Sequence, residues 1–370
     1  MKKTKIIISG GGTGGHIYPA IAIANALLEL SEHVEIKFVG AIGRMEMQKV
    51  PAAGYEITGL PVVGIQRSLS FSNFLFPFKL IKSIFLARKI IKDFQADVVI
   101  GVGGYASWPL LFAANTFGIT TIIQEQNGYA GLANKNLAKK AKYICVAYPN
   151  MEQFFPKEKI VFTGNPVRKD ILQLENKKQT AIDFFNLDYS KKTIVVIGGS
   201  LGAKTINKTI GNNLNAFIEA GVQIIWQTGK AYYSDAIEQA KDFHKSVKVF
   251  EFIYEMDMLY AAADIVISRA GALSISELCL AKKPAILVPS PNVAEDHQTK
   301  NAMILVENNA AQLVKDELAH KVLVPASLKL LRDEAKQEIF KENIVQLAKP
   351  NAAIDIAQLV LSTVQNQQIR

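Results

Sequence analysis

The sequence predicts an α/β protein made of two doubly wound, Rossmann-like domains that face each other across a cleft. Short apolar strands alternate with helical patterns along the chain, which is typical of parallel sheets built from βαβ units. A buried strand runs into a glycine-rich turn twice, at residues 10–15 and 198–202. A chain of 370 residues is also long for one domain. We therefore expect ligands at the carboxyl ends of the strands.

The strands are predicted from the apolar runs. In the first half of the chain we expect them at residues 5–9, 34–39, 97–102, 120–124, 143–146 and 160–162. In the second half we expect them at residues 193–197, 222–227, 248–252, 264–267, 285–288 and 311–314. Residues 163–180 are interpreted as a linker. The predicted domains are thus 1–163 and 164–345, followed at 346–370 by a helix able to pack back on the first domain.

The composition indicates a globular protein of a reducing compartment. Cys145 and Cys279 lie far apart in apolar runs, which predicts buried, reduced thiols. The apolar stretch after Met1 is too short for a signal peptide, and no apolar run reaches the roughly 18 residues that span a bilayer. The sequence therefore predicts a cytoplasmic protein.

The net charge of +9 is concentrated in one stretch. Between Glu56 and Asp93 there is no acidic residue, and cations alternate there with aromatic and aliphatic side chains. This pattern favours contact with an anionic membrane surface over nucleic acid, although packing on the sheet with a solvated charged face is the alternative. The candidate membrane residues are Phe74, Leu75, Phe78, Lys79, Lys82 and Phe85.

The first glycine turn predicts an anion site. Gly10, Gly12 and Gly15 match G-x-G-x-x-G, in which missing Cβ atoms let a phosphate approach backbone N–H groups. A nicotinamide dehydrogenase would also need an acidic residue at the end of the second strand. Glu35 stands at that strand's beginning, which disfavours this alternative.

The second glycine turn is compatible with two chemistries. Residues 198–202 match G-x-S-x-G, the nucleophile elbow of α/β-hydrolases, and Asp264 and His297 follow in the expected order. A hydrolase would leave the first turn unexplained. We favour a phosphate cradle in which the Ser200 hydroxyl and successive amides face an anion.

Further polar groups follow other predicted strands. A second glycine turn of the first domain holds Gly103 and Gly104, and Arg168 near the domain crossover is suited to neutralise a diphosphate. No Asp-x-Asp pair occurs, so no metal site and no cofactor are predicted. Amides, a helix terminus and a cation would meet the charge of a departing diphosphate instead.

Taken together and in order, these motifs resemble the MurG family of peptidoglycan transferases, which add N-acetylglucosamine to lipid-linked muramyl-pentapeptide. The resemblance covers essentially the whole chain. The motifs that carry it are Gly11-Gly12-Thr13-Gly14-Gly15-His16, Gly103-Gly104-Tyr105, Glu125-Gln126-Asn127, Gly164-Asn165-Pro166-Val167-Arg168, Gly198-Gly199-Ser200 and the run from Arg269 to Glu277. It implies the GT-B fold and metal-independent, inverting transfer from UDP-GlcNAc at the inner face of the bacterial plasma membrane.

The resemblance also implies site residues. For the UDP part of the donor these are Ile253 at the uracil, Glu277 at the ribose, and Ser200, Arg168, Ala272, Leu273, Ser274, Ile275 and Ser276 at the diphosphate. For the donor sugar they are Thr13, Gly14, Gly15, Asn127 and Gln298. For the diphosphate of the lipid-linked acceptor they are Gly14, Gly15, His16, Gly103, Gly104 and Tyr105.

His16 is the candidate general base for the acceptor hydroxyl, because imidazole titrates near neutrality. A capping or phosphate-donating role at the helix start is the alternative for His16, and Glu125 is the rival base. Two positions depart from the family pattern: Gln124 stands where His is frequent, and His297-Gln298 replaces a Gln-Gln pair. Another GT-B transferase with a UDP-sugar and a lipid acceptor is the nearest functional alternative, and a non-catalytic lipid-binding protein is a more distant one.

Overall fold

The computed structural model describes residues 3–62, 76–293 and 296–368. It divides the chain into two compact units. The first comprises Met1–Arg168 together with Lys349–Arg370, and the second comprises Lys169–Ala348. The first crossover thus follows Arg168, five residues beyond the expected boundary at residue 163.

The first unit contains a parallel sheet of seven strands, in the order β3-β2-β1-β4-β5-β6-β7. The strands are β1 Thr4–Ser9, β2 Val34–Ala41, β3 Ile57–Leu60, β4 Val98–Gly101, β5 Thr120–Glu125, β6 Tyr143–Val146 and β7 Ile160–Phe162. The order reverses direction at β1, as a doubly wound sheet requires. The sequence-based prediction missed β3, a short edge strand interrupted by Gly59.

Helices cover both faces of this sheet. In the first unit they are α1 Gly14–Leu30, α2 Glu46–Ala52, α3 Phe76–Phe94, α4 Ser107–Thr116 and α5 Leu132–Leu137. Ile6 and Ile8 join the core cluster under α1, whereas Ile7 joins the cluster on the opposite face. This alternation follows from the period of two in a β-strand.

The second unit repeats the architecture with six parallel strands, in the order β10-β9-β8-β11-β12-β13. The strands are β8 Thr193–Ile197, β9 Gln223–Gln227, β10 Val247–Phe250, β11 Ile265–Ser268, β12 Ala285–Leu287 and β13 Gln312–Leu313. The helices are α6 Lys178–Phe184, α7 Lys204–Gly211, α8 Leu214–Glu219, α9 Tyr233–Ala240, α10 Met256–Ala262, α11 Ala272–Ala281, α12 His297–Glu307, α13 Ala319–Arg332 and α14 Glu334–Gln346. The predicted linker is shorter than expected, because a 3₁₀ turn at Lys169–Leu172 and the start of α6 occupy much of it.

The last helix, α15 Ala352–Gln368, returns to the first unit. Ile356, Ala357 and Val360 are buried in the same cluster as Ala20 and Ala24 of α1. The chain therefore crosses between units twice, and α15 completes the core of the first.

Both cysteines are buried, as predicted. Burial raises the pKa of the Cys145 and Cys279 thiols to about 12, because an apolar interior disfavours the thiolate. Within the described residues, no helix has the length and apolar character needed to cross a bilayer.

Candidate functional site

The two glycine turns of the first unit pack directly on each other. The Gly11 N–H donates to the carbonyl oxygen of Gly103 over 3.2 Å. Gly103 and Gly104 both adopt positive φ, near 91° and 92°, where a side chain would be strained. A Cβ on Gly104 would also overlap the backbone of Gly11. The two turns therefore lie together at the carboxyl ends of β1 and β4.

His16 sits between these turns, in the first turn of α1. Its Nδ1 lies 3.1 Å from the carbonyl oxygen of Gly11 and 3.4 Å from Thr13 Oγ1. A Cβ on Gly103 would stand only 2.5 Å from His16 Cδ2 and 2.8 Å from Nε2. The N-cap of α1 is Thr13, so His16 does not cap the helix. The missing side chain of Gly103 is what admits the imidazole.

Glu46 is a buried carboxylate under the first turn that sequence reasoning did not single out. Its side chain is 1% exposed, and its oxygens accept from the Gly12 N–H at 2.8 Å and the Ala41 N–H at 3.0 Å. A Cβ on Gly11 would overlap this carboxylate. The available signal was an acidic residue soon after the end of β2, whereas the sequence analysis considered only Glu35, at the beginning of that strand.

The contacts of Glu46 and Gly103 correct one expectation about the first turn. Not every amide of residues 10–15 is offered to a phosphate, because Gly11 and Gly12 donate within the protein. The amides that α1 itself leaves without an intrahelical acceptor are those of its first turn, at Gly14 and Gly15. An anion would therefore meet the helix end and not the whole loop.

Both carboxylate oxygens of Glu125 accept hydrogen bonds. It is 2% exposed at the end of β5. Oε1 accepts from the Asn127 N–H at 3.1 Å, while Oε2 accepts from the Gly131 N–H at 2.9 Å and Asn134 Nδ2 at 2.8 Å. A carboxylate that accepts from this many donors holds the loop in shape. The structure thus brings Glu125 and Asn127 together in one loop.

Gln124 belongs to a buried amide network. Its Nε2 donates to Asn165 Oδ1 at 3.0 Å, and its Oε1 accepts from Gln126. Gln126 Nε2 also donates to the carbonyl oxygen of Val102 at 2.6 Å, and Asn165 Nδ2 donates to that of Gln126 at 3.1 Å. The network joins three of the predicted motifs, so the position that departs from the family pattern has a positioning role.

Arg168 and Tyr105 lie in the first unit beside aromatic and cationic partners. The Arg168 guanidinium carbon lies 5.5 Å from the ring centre of Tyr18 on α1. The Tyr105 ring is 46% exposed, and the Arg44 guanidinium carbon lies 5.6 Å from its centre. Arg168 was expected in the second domain with Ser200; the structure assigns it to the first unit.

In the second unit, Ser200 lies in a turn that leads from β8 toward α7. Gly199 and Gly202 have φ of 84° and 79°, and the Gly202 N–H donates to the Gly199 carbonyl oxygen at 3.0 Å. Asp264 accepts from the Thr193 N–H at 2.7 Å, at the start of β8. Ser200 follows the carboxyl end of β8, whereas Asp264 lies at the amino ends of the strands. This separation excludes the Ser-Asp-His triad that the hydrolase alternative requires.

The N-terminus of α11 offers a second set of helix amides. Gly271 is the N-cap in an extended conformation, and the helix begins at Ala272. The side chain of Ile275 is buried and its N–H donates to the Gly271 carbonyl oxygen at 3.0 Å. The Ser276 hydroxyl donates to the Ala272 carbonyl oxygen at 3.1 Å. Of the predicted run, the amides of Ala272, Leu273 and Ser274 are thus the ones at the open end of the helix.

Arg269, just before α11, forms hydrogen bonds and an ion pair within the second unit. Its Nη1 donates to the carbonyl oxygens of Val288 and Pro289 at 2.9 and 3.1 Å and pairs with Asp316. Asp316 also accepts from Thr205 Oγ1 at 2.9 Å. This network fixes α7 and the start of α11 to the same strand ends.

The three other residues predicted to contact UDP-GlcNAc also form hydrogen bonds within the protein. Glu277 is 7% exposed and accepts from the Tyr260 hydroxyl at 3.0 Å, so it is not a surface carboxylate. The Ile253 N–H donates to Gln227 Oε1 at 2.9 Å. Gln298 Oε1 accepts from the Ser290 N–H at 2.8 Å, near the start of α12.

In residues 3–62, 76–293 and 296–368, no group of three or more His, Cys, Asp or Glu side chains is arranged to hold an ion. The polar groups described at these strand ends are helix amides, the arginines Arg168 and Arg269, and hydrogen-bonded carboxylates.

Comparison with family models defines the class of this protein. Residues 6–146 match the glycosyltransferase family 28 N-terminal domain, and residues 193–360 match the family 28 C-terminal domain. The two matches fall on the two parallel sheets, so the chain is a glycosyltransferase of the GT-B type.

Individual relatives narrow the class. The chain is 56% identical over 98% of its length to the UDP-N-acetylglucosamine–N-acetylmuramyl-(pentapeptide) pyrophosphoryl-undecaprenol N-acetylglucosamine transferase of Cytophaga hutchinsonii, and covers 98% of that protein. It is 54% identical over 98% of its length to the transferase of the same name from Parabacteroides distasonis, covering 99% of it. The crystal structure of Acinetobacter baumannii MurG superposes with a TM-score of 0.75 at 27% identity, over 97% of this chain and 99% of that one. The chain belongs to the MurG family of N-acetylglucosamine transferases.

Proposed function

We propose that the protein transfers GlcNAc from UDP-GlcNAc to undecaprenyl-pyrophosphoryl-MurNAc-pentapeptide, with inversion and without a metal ion. The names of the relatives that match the chain nearly end to end support the donor and the acceptor. The observation that carries the chemistry is the His16 imidazole, held by the Gly11 carbonyl beside the amide-bearing start of α1.

His16 acts as the general base. Because a carbonyl oxygen only accepts, the contact with Gly11 favours the tautomer that carries its proton on Nδ1 and leaves Nε2 as the basic nitrogen. Nε2 takes the proton of the acceptor hydroxyl, whose oxygen then bonds to C1 of GlcNAc. The bond from C1 to the diphosphate breaks on the opposite face, and the electron pair leaves with UDP.

The leaving UDP is stabilised by groups of the second unit. The first-turn amides of α11 and the Ser200 hydroxyl donate to the diphosphate, whose negative charge the helix terminus favours. Glu277, oriented by the Tyr260 hydroxyl, accepts from the ribose, and the Ile253 backbone contacts uracil. Gln298 contacts the donor sugar. This charge stabilisation by fixed amides is why no metal is needed.

In the first unit, the acceptor diphosphate is taken by the start of α1. Gly14 and Gly15 supply amides, Gly103 and Gly104 shape the surface, and Tyr105 offers an exposed ring. Thr13 and Asn127 are proposed contacts of the donor sugar, and Arg168 is the proposed cation for the UDP diphosphate. Glu125 orients Asn127 and does not accept the proton.

The protein docks on the inner face of the plasma membrane through α3. Phe78, Ile81 and Phe85 are 73%, 53% and 66% exposed and recur at helical spacing. Lys82 lies exposed among them, whereas Lys79 is partly buried. An apolar stripe with flanking cations suits the headgroup region of anionic lipid. Phe74 and Leu75, also predicted to contact the membrane, lie outside the described residues.

The test is transfer of labelled GlcNAc from UDP-GlcNAc to a lipid-linked muramyl-pentapeptide analogue in the presence of EDTA. The proposal predicts turnover with a β-linked product. UDP-GlcNAc binding without turnover would contradict the acceptor and favour another lipid acceptor on the same fold. Turnover abolished by EDTA and restored by Mg²⁺ would contradict metal independence.

A further inference from the structure

Gln227 links two loops of the second unit through a single side-chain amide. It is the last residue of β9, which lies between β8 and β10, and it is 3% exposed. Its Oε1 accepts from the Ile253 N–H at 2.9 Å, and its Nε2 donates to the Gly199 carbonyl oxygen at 3.3 Å. One loop follows β8 and the other follows β10, so the amide bridges across the intervening strand end.

The bridge has a defined orientation. A backbone N–H only donates and a carbonyl oxygen only accepts, so Gln227 must present its oxygen to Ile253 and its nitrogen to Gly199. A carboxylate side chain of the same length could accept from Ile253 but could not donate to Gly199, and a thioether would satisfy neither partner. The strand end itself is fixed nearby, since Trp226 Nε1 donates to Asn207 Oδ1 at 3.0 Å and Asn207 Nδ2 donates to the Thr228 carbonyl oxygen at 2.7 Å.

We propose that Gln227 is a positioning residue for nucleoside diphosphates: it holds the base-contacting loop at Ile253 and the diphosphate-contacting turn at Gly199 at the separation that UDP spans. This inference rests on the proposed function, which places uracil at Ile253 and the diphosphate at the turn containing Ser200. A ligand that contacts both loops loses affinity when their relative position has to be ordered on binding. A ligand that contacts only one loop is affected much less.

The consequence is measurable as a discrimination between two ligands. Titration calorimetry of the full chain gives Kd for UDP and for uridine in the wild type, Gln227→Met and Gln227→Glu. We expect Gln227→Met to raise the Kd for UDP at least tenfold and the Kd for uridine less than threefold. Gln227→Glu keeps the oxygen that accepts from Ile253 but cannot donate to Gly199. The Kd for uridine should therefore stay near the wild-type value, while the Kd for UDP should rise.

Gln223 provides a matched control at the other end of β9. It is 1% exposed, and its amide also bridges backbone groups, accepting from the Asp188 N–H at 2.9 Å and donating to the Asp188 carbonyl oxygen at 2.8 Å. Gln223→Met removes an equally buried bridge at the opposite edge of the sheet. It should lower thermal stability without changing the ratio of the two Kd values.

The outcomes separate the inference from the function on which it rests. Equal weakening of UDP and uridine in both Gln227 variants would mean a purely structural role and would overturn the inference. A rise in KM for UDP-GlcNAc with kcat and the acceptor KM little changed would support it. Failure of the wild type to bind UDP at all would overturn the proposed donor site, and this inference with it.

Discussion

The imidazole Nδ1 of His16 lies 3.1 Å from the carbonyl oxygen of Gly11, and the Gly11 N–H in turn donates to Gly103. Gly11 therefore links the histidine to the second glycine turn, and its carbonyl oxygen favours the tautomer with the proton on Nδ1. The basic nitrogen is placed beside the amide end of α1, where an acceptor diphosphate would be held. In the proposed mechanism, this contact helps to orient the imidazole that removes the proton of the acceptor hydroxyl.

Gly103→Ala should strongly lower kcat. The added Cβ would meet His16 within 2.5 Å, so the imidazole must move from its place. We expect a loss of about 100-fold or more in kcat, because small displacements of catalytic groups are costly. Steady-state transfer assays measure it.

Gly118→Ala is the control for this variant. Gly118 also has positive φ, near 68°, but a Cβ there would meet nothing within 4 Å. It carries similar backbone strain without touching the site. Equal losses of kcat in the two variants would contradict the steric account of Gly103.

Glu46→Gln should destabilise the first glycine turn. An amide supplies one acceptor oxygen but turns an NH₂ group toward the other backbone donor, at Gly12 or Ala41. Loss of a charge-assisted hydrogen bond costs about 1.5–3 kcal/mol. We expect a lower kcat with an unchanged Kd for UDP, measured by kinetics and calorimetry.

Glu56→Gln makes the same chemical change at an exposed site. Glu56 is 71% exposed and pairs with Lys37 at 2.8 Å, an interaction of little energetic value. Its kcat should equal that of the wild type. An unaffected kcat in Glu46→Gln as well would show that the carboxylate does not position the turn.

Replacing Phe78 and Phe85 with serine should weaken membrane binding. Each exposed phenylalanine can bury its ring in lipid, worth about 1.5–3 kcal/mol. We expect at least a tenfold drop in partitioning onto vesicles that contain anionic lipid, measured by co-sedimentation, and weaker binding at high salt.

Tyr189→Ser is the matched control, since Tyr189 is 60% exposed but lies in the second unit. Its partitioning should stay at the wild-type level. If the double variant also binds vesicles normally, α3 is not the docking surface.

Lys283 should make the stability of the second unit depend on alkaline pH. Its Nζ donates to the Ala263 carbonyl oxygen at 2.8 Å, and burial lowers the pKa of the ammonium from 10.5 to about 8. Between these pH values the unfolded chain binds more protons than the folded one, so the free energy of unfolding rises with pH. Lys283→Met removes this rise, which amounts to about 2 kcal/mol by pH 10.

Tryptophan fluorescence can isolate the second unit for this measurement. Trp226 is buried there, and Trp108 in the first unit can be replaced by phenylalanine in both proteins. Urea unfolding at pH 7 and pH 10 then reports on the second unit. The same pH dependence in Lys283→Met as in its parent would refute the assignment.

The sequence predicted the sheets well and the contacts within the site less well. Apolar runs of strand length indicated twelve of the thirteen strands in the described part of the chain, because buried parallel strands form continuous apolar segments. β3 escaped, since Ile57-Thr58-Gly59-Leu60 is short and partly exposed. Strand ends also located the glycine turns and the Glu125 loop, because ligands gather at one edge of such sheets.

Pairings between distant residues lay beyond sequence reasoning. Gln124 bonds to Asn165, 41 residues away, and Glu46 to Gly12, 34 residues away. Polar residue types at a strand end do not reveal whether a side chain faces a ligand or holds another loop. The partners of Glu125, at Gly131 and Asn134, and the burial of the Ile275 side chain could therefore not be predicted from the residue types.

In the proposed mechanism His16, and not Glu125, removes the proton from the acceptor hydroxyl. The most direct measurement compares kcat for GlcNAc transfer in His16→Ala and Glu125→Gln at saturating donor and acceptor. We expect kcat to fall about 10²–10⁴-fold in His16→Ala with an unchanged KM for UDP-GlcNAc, and to fall less in Glu125→Gln. Near-normal turnover by His16→Ala would contradict this mechanism.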